Sequence, residues 1–169
     1  MFIAIVQHTP VWVWGLLTAL VAFGVSQTRT REMTVLRVTI LPIVMIALSA
    51  SGVFSAFGHF PVALGGWAAG VGAVLVFARN AISVRGASWS PETGRLHVPG
   101  SWLPLGLMLG LFSIKYFAGV QLAMHPALAT DTAFAGLISF AYGAFSGLFL
   151  ARGLSLRSLA GKPRNLLAV

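Results

Sequence analysis

The sequence contains no cysteine at all and, in 169 residues, only three acidic side chains. Without cysteine there is no disulfide framework, no thiolate metal site and no thiol nucleophile. The three acids are Glu32, Glu92 and Asp131. No two of them sit at a spacing that suggests a general acid/base pair, and neither a nucleophile triad nor a phosphate-cradling glycine loop is visible. Charge of either sign is scarce, at 8% of residues, whereas a soluble domain carries about 25%. Too few charges remain to cover a water-facing surface.

Long apolar runs fill the place of those charges. The chain is 57% hydrophobic with a mean hydropathy of +0.90. The composition predicts an all-α membrane protein built as one bundle over residues 1–152, with transmembrane helices at 11–27, 38–56, 62–78, 102–124 and 132–151. Residues 153–169 follow as a basic tail. Trp12, Trp14 and Trp102 sit at the ends of these runs, where an aromatic ring prefers the headgroup level. The first residues, MFIAIVQHTP, lack the basic stretch of a signal peptide, so the N-terminus is expected to be retained. Pro42 falls inside the second run and should kink it or disturb its first turns. Thr30 offers an N-cap for that helix, with Glu32 in its first turn.

The one sizeable polar interlude is 80–101. Its Ser90-Pro91-Glu92-Thr93-Gly94-Arg95 has turn chemistry and its flanks are β-prone, which predicts a small β-hairpin between helices three and four. Eleven Lys and Arg residues give a net charge of +8. In a soluble protein that balance would point to nucleic acid. Here ten of the eleven fall in alternate connections: Arg29, Arg31 and Arg37; Arg79, Arg85 and Arg95; Arg152, Arg157, Lys162 and Arg164. The positive-inside rule makes these connections cytoplasmic, with the N-terminus outside, the C-terminus inside and no nucleic-acid partner. Anionic lipids at the cytoplasmic face are the expected partners of the basic segments.

The eleventh base, Lys115, lies in the fourth run, LPLGLMLGLFSIKYFAGVQLAM. It is about 14 Å from the outer end at 1.5 Å per residue, too deep for Asp131 to be a direct partner. An ionisable residue at such depth is a functional-site hypothesis. Similar depth on the other helices brings in Tyr142, Ser49 or Ser51, and Thr18 as hydrogen-bonding groups, with Tyr116 adjacent to the lysine. Three readings of Lys115 follow: a neutral or snorkelling amine, the wall of a wet cavity, or the partner of an anionic ligand. A Schiff-base role finds no carboxylate counter-ion in any run. Because the lysine must avoid lipid, the fourth helix is expected to be packed on both sides and central. His8, His59 and His125 share the outer face, each close to a proline. They are weak metal candidates, since no local ligand spacing joins them. Histidines at helix ends are the plainer reading, and no metal or cofactor is expected.

Small residues recur four apart: Ala135, Ser139, Gly143, Gly147 and Ala151 on helix five, Gly66 and Gly70 on helix three, Gly106 and Gly110 on helix four. Such stripes bring helix backbones together in a bilayer, within one chain or between two copies or with another membrane protein.

His8-Thr9-Pro10-Val11-Trp12-Val13-Trp14, Pro42 with Met45 through Ser49, Phe112-Ser113-Ile114-Lys115-Tyr116, and Tyr142-Gly143 followed by Gly147 and Arg152 together resemble a family of small polytopic inner-membrane proteins of proteobacteria. That family is known only as a domain of unknown function. The resemblance covers residue 7 to about residue 152. It implies a compact bundle in the bacterial inner membrane and carries no activity. The expected role is a non-enzymatic scaffold or accessory membrane subunit. The alternative is a small transporter, channel or anionic-ligand or lipid-binding protein that uses Lys115.

Overall fold

The computed structural model describes residues 9–58, 61–77, 84 and 86–160. Five helices and one small sheet account for most of them. Helix α1 (Val11–Ser26) starts behind Pro10, whose extended backbone (φ −57°, ψ 142°) turns the chain into the first turn. Helix α2 (Val35–Phe57) starts at Thr34, whose Oγ1 accepts a hydrogen bond from the Arg37 amide at 3.4 Å. Gly58 ends it at φ +61°, in the conformation that a side chain resists, while its amide donates to the Phe54 carbonyl. Helix α3 (Pro61–Phe77) opens on proline, whose missing N–H costs nothing at a first position.

Helix α4 is Leu103–Met124. A single 3₁₀ turn, Pro126–Ala129, leads to α5 (Thr132–Arg157). Asp131 caps α5, with Oδ1 accepting from the Phe134 amide at 2.6 Å, so one of the chain's three acids serves a helix end. Helix α5 does not stop at Arg152 where the apolar run ends. It continues to Arg157, because Leu156 finds a buried place against the sheet.

The sheet contains the predicted hairpin and one strand more. Strands β2 (Ser88–Ser90) and β3 (Arg95–Val98) pair antiparallel around a turn in which Gly94 takes φ +62°. The other edge of β3 is covered by β1 (Arg31–Met33), with Arg31 opposite Val98 and Met33 opposite Leu96. The expected cap at Thr30 and the placement of Glu32 in a helical first turn are therefore corrected. The free edge of β3 offers these residues a ladder, and the helix starts four residues later at Thr34. Glu32 lies on the exposed face of β1, 3.6 Å from Arg95.

The central helix is α5, not α4. It packs against α3, α2 and α4, while α1 lies on the far side of α4. Helix α4 is covered on two sides as expected: Gly24 of α1 abuts Leu105, and Gly110 abuts the Phe145 ring of α5. The residues at the contact explain why α5 takes the middle. Ala135, Ser139, Gly143, Gly147 and Ala151 are all buried, whereas the large side chains divide: Ile138, Tyr142, Phe149 and Leu156 are buried, and Leu137, Phe140 and Leu154 are exposed. The small residues of the stripe all face in, where they let neighbouring helices come close.

Pro42 lies within α2 without ending it. It removes the donor for the Val38 carbonyl. Gly153 of α5 lets both the proline ring and that carbonyl come close, since a Cβ there would stand 3.4 Å from the Val38 oxygen and nearer still to the ring.

Candidate functional site

Lys115 sits on the α2 side of α4. Its Nζ hangs over Gly52, 3.8 Å from the place a Cβ would occupy there. The side chain is exposed, and among the described residues it makes neither a hydrogen bond nor an ion pair. The polar groups proposed at its depth turn elsewhere. Thr18 Oγ1 donates to the Trp14 carbonyl and Ser51 Oγ to the Leu48 carbonyl, each within its own helix. Tyr116 shares a 2.7 Å hydrogen bond with Thr9 and stacks its ring on Phe112, with centroids 6.2 Å apart. That contact ties the start of α1 to the C-terminal half of α4.

Ser49 and Tyr142 do meet, through a backbone group. Ser49 is buried and its hydroxyl donates to the Tyr142 carbonyl at 3.2 Å, while the same oxygen accepts from Trp67 Nε1 at 3.1 Å. This node joins α2, α3 and α5 at the centre of the bundle. Because the serine oxygen accepts one bond and donates another, the node is satisfied without water or a ligand. Two further hydroxyls of α5, Ser139 and Ser146, are buried with no partner among the described residues.

Around this node the α3–α5 seam closes by backbone contact. A Cβ on Gly66 would lie 2.7 Å from the Gly136 carbonyl oxygen, and one on Gly70 2.8 Å from the Ala144 nitrogen. Gly143 meets the Trp67 backbone, and a Cβ on Gly147 would reach the Val71 carbonyl at 3.0 Å. The stripes on helices three and five are thus used within one chain. On helix four, Gly110 is used in the same way against Phe145, but Gly106 has nothing within 4 Å.

His125 is exposed at the end of α4, and His8 and His59 lie outside the described residues. Among the described residues no three metal-ligating side chains converge.

Sequence reasoning missed a second feature, at the end of the molecule that carries the sheet. A half-open cavity of about 40 Å³ lies where α1, β1, α2 and α5 meet, lined by Gln27, Arg31, Pro42, Phe149 and Arg152 among others. Strand alternation points Arg31 and Met33 toward it and Glu32 away. Burial, and after it the nearby Arg37 charge, holds the Arg31 guanidinium below its ordinary pKa. The sequence carried one signal, a cluster of bases with a single acid. The strand that brings Arg31 to Arg152 is too short to be read locally.

Helical architecture, exposed apolar faces and three helices of 22 to 26 residues, Val35–Phe57, Leu103–Met124 and Thr132–Arg157, define a protein with segments long and apolar enough to cross a membrane. The chain belongs to DUF6622, a family of unknown function, which it matches over residues 1–165. It is similar to an uncharacterised protein of Pasteurella multocida, 32% identical over 75 residues. That match covers 44% of this chain and 57% of the relative, so the chain spans little more than half of the relative's length. No solved structure matches the chain.

Proposed function

We propose that this is a five-span integral protein of the bacterial inner membrane that acts as a scaffold or accessory subunit, without catalysis of its own. The two shorter helices, α1 and α3, have 16 and 17 residues. At 1.5 Å per residue they rise about 25 Å, against a hydrocarbon core of about 30 Å. Local thinning and interfacial anchors such as Trp12 and Trp14 make up the shortfall. The sheet end, with Arg31, Arg95, Arg152 and Arg157, faces the cytoplasm under the positive-inside rule, and the N-terminus lies outside.

The observation that carries the scaffold reading is the α3–α5 seam. Backbone meets backbone there, and the one polar node beside it is internally satisfied. A bundle closed in this way suits a rigid framework better than a conduit. Its exposed apolar faces and the unused Gly106 leave room for a second copy or another membrane protein. Lys115, without a partner among the described residues, favours the other reading, an anionic ligand or transported species met within the membrane.

The absence of native cysteine makes the topology directly testable. Arg29→Cys and Thr93→Cys should react with an impermeant maleimide from one side of the membrane, Pro61→Cys and Thr130→Cys from the other. Any other alternation breaks the five-span arrangement. Lys115→Met should match wild type in fold, melting temperature and complementation of a deletion strain. Lost complementation with the fold intact would move the function to Lys115.

A further inference from the structure

We propose that the cavity between α1, β1, α2 and α5 is a phosphate-binding site, in which Arg31 and Arg152 hold the anion and the Gln27 carboxamide donates to it. Three observations converge. The first is an imbalance of charge. Two guanidiniums line one cavity, and none of the chain's three carboxylates serves either of them. Glu32 is turned to the opposite face of β1, beside Arg95. Asp131 caps α5 at its other end, and Glu92 is exposed in the hairpin turn. Two half-buried cations with no counter-ion among the described residues repel each other, and an anion placed between them relieves that cost.

The second is Gln27. It is 5% exposed and lines the cavity, yet its carboxamide makes no hydrogen bond among the described residues. The donor of that carboxamide is therefore free for an acceptor held in the cavity. The position is held firmly. The Gln27 carbonyl accepts from the Ser101 amide at 3.1 Å, and Gly100 packs directly on the Thr28 backbone, fixing the end of α1 against the start of α4.

The third is the chemistry of the remaining wall. Met33, Val38, Leu41, Phe149 and Leu156 are apolar. Planar guanidiniums suit phosphate oxygens, which they can bind in a bidentate fork. A cationic patch against an apolar wall fits a phosphate that carries a hydrocarbon, as an anionic phospholipid does. Inorganic phosphate or a soluble phosphate ester shares the recognised group. The site is independent of the number of spans and of the scaffold role, because it is defined within the fold and is tested in detergent.

The experiment is thermal unfolding of the full chain in a neutral detergent, titrated separately with inorganic phosphate, phosphatidylglycerol and diacylglycerol. Phosphatidylglycerol should raise Tm in a saturable way, and diacylglycerol should not. A saturable rise with inorganic phosphate as well would assign the site to the phosphate group alone, and a rise with the lipid only would assign it to a headgroup with its chains. Arg31→Gln and Arg152→Gln should each weaken the apparent Kd about tenfold or more, as expected for loss of a charge-assisted hydrogen bond. Arg157→Gln, exposed and outside the cavity, should leave it unchanged. Gln27→Leu keeps the charges and removes the donor, so it tests the site if either arginine variant fails to fold. It should weaken binding while the wild-type melting temperature without ligand is kept or raised. No saturable shift with either phosphate compound overturns the proposal. So does an Arg157→Gln loss equal to that of Arg31→Gln, because the effect would then be general surface charge.

Discussion

Helix α5 behaves differently in its two halves. From Ala135 to Gly147 a stripe of alanine, serine and glycine lets α3 close until backbone touches backbone, while Ile138 and Tyr142 fill the core beside it. From Phe149 to Leu156 the same helix adds phenylalanine, arginine and leucine, and a cavity opens beside the point where Gly153 meets Pro42. Both halves lie in one continuous helix, so the difference comes from side-chain volume and charge. A seam of small residues gains dispersion contacts that lipid cannot supply. An arginine cannot be packed so tightly without stranding its charge, and an opening remains beside it.

The largest effect should come from filling the seam. Gly143→Leu is expected to abolish folded protein, and even Gly143→Ala should cost about 2–3 kcal/mol, because the new carbon meets the Trp67 backbone. The control is Gly65→Ala on α3, where nothing lies within 4 Å; it should be neutral or stabilising by up to about 1 kcal/mol. Unfolding in mixed micelles would read both. If the two alanine variants behave alike, the contrast between the halves of α5 is wrong.

Next is the basic end, where Leu96 is fully buried among Val38, Val98 and Leu156. Leu96→Ala should cost about 2–4 kcal/mol. Proteolysis should then cut first around the hairpin, with the seam still protected. Ser49→Ala orphans Trp67 Nε1 and frees the Tyr142 carbonyl, and should cost about 1 kcal/mol, visible as a shift in tryptophan fluorescence. The smallest effect belongs to Ser139→Ala. Its hydroxyl has no partner among the described residues, so the change should lie within about 0.5 kcal/mol and toward greater stability.

Much of this architecture was legible in order along the chain. The hairpin was readable because proline and glycine mark a turn by their own backbone preferences, and Gly94 does take positive φ. The small-residue stripes were readable because their spacing follows the helical repeat. Two things were not readable. β1 is three residues long, and its strand character comes from the edge of β3, some sixty residues away in sequence. The central helix is the second, because the cost of exposing Lys115 points locally to α4. The packing instead followed the small residues of α5, and the lysine stayed at the surface of the bundle beside Gly52.

By itself, the sequence determined the helical, apolar character of the protein, the segregation of its bases to alternate connections and the residues able to pack closely. Each of these follows from composition and local periodicity. Only the tertiary structure decided which helix sits in the middle, that Ser49 is satisfied by a backbone carbonyl and not by the lysine, and that Arg31 and Arg152 share one cavity with an unpartnered Gln27. Those outcomes depend on which surfaces meet across long stretches of chain, and a pairing of that kind is settled by the competition among all the faces at once.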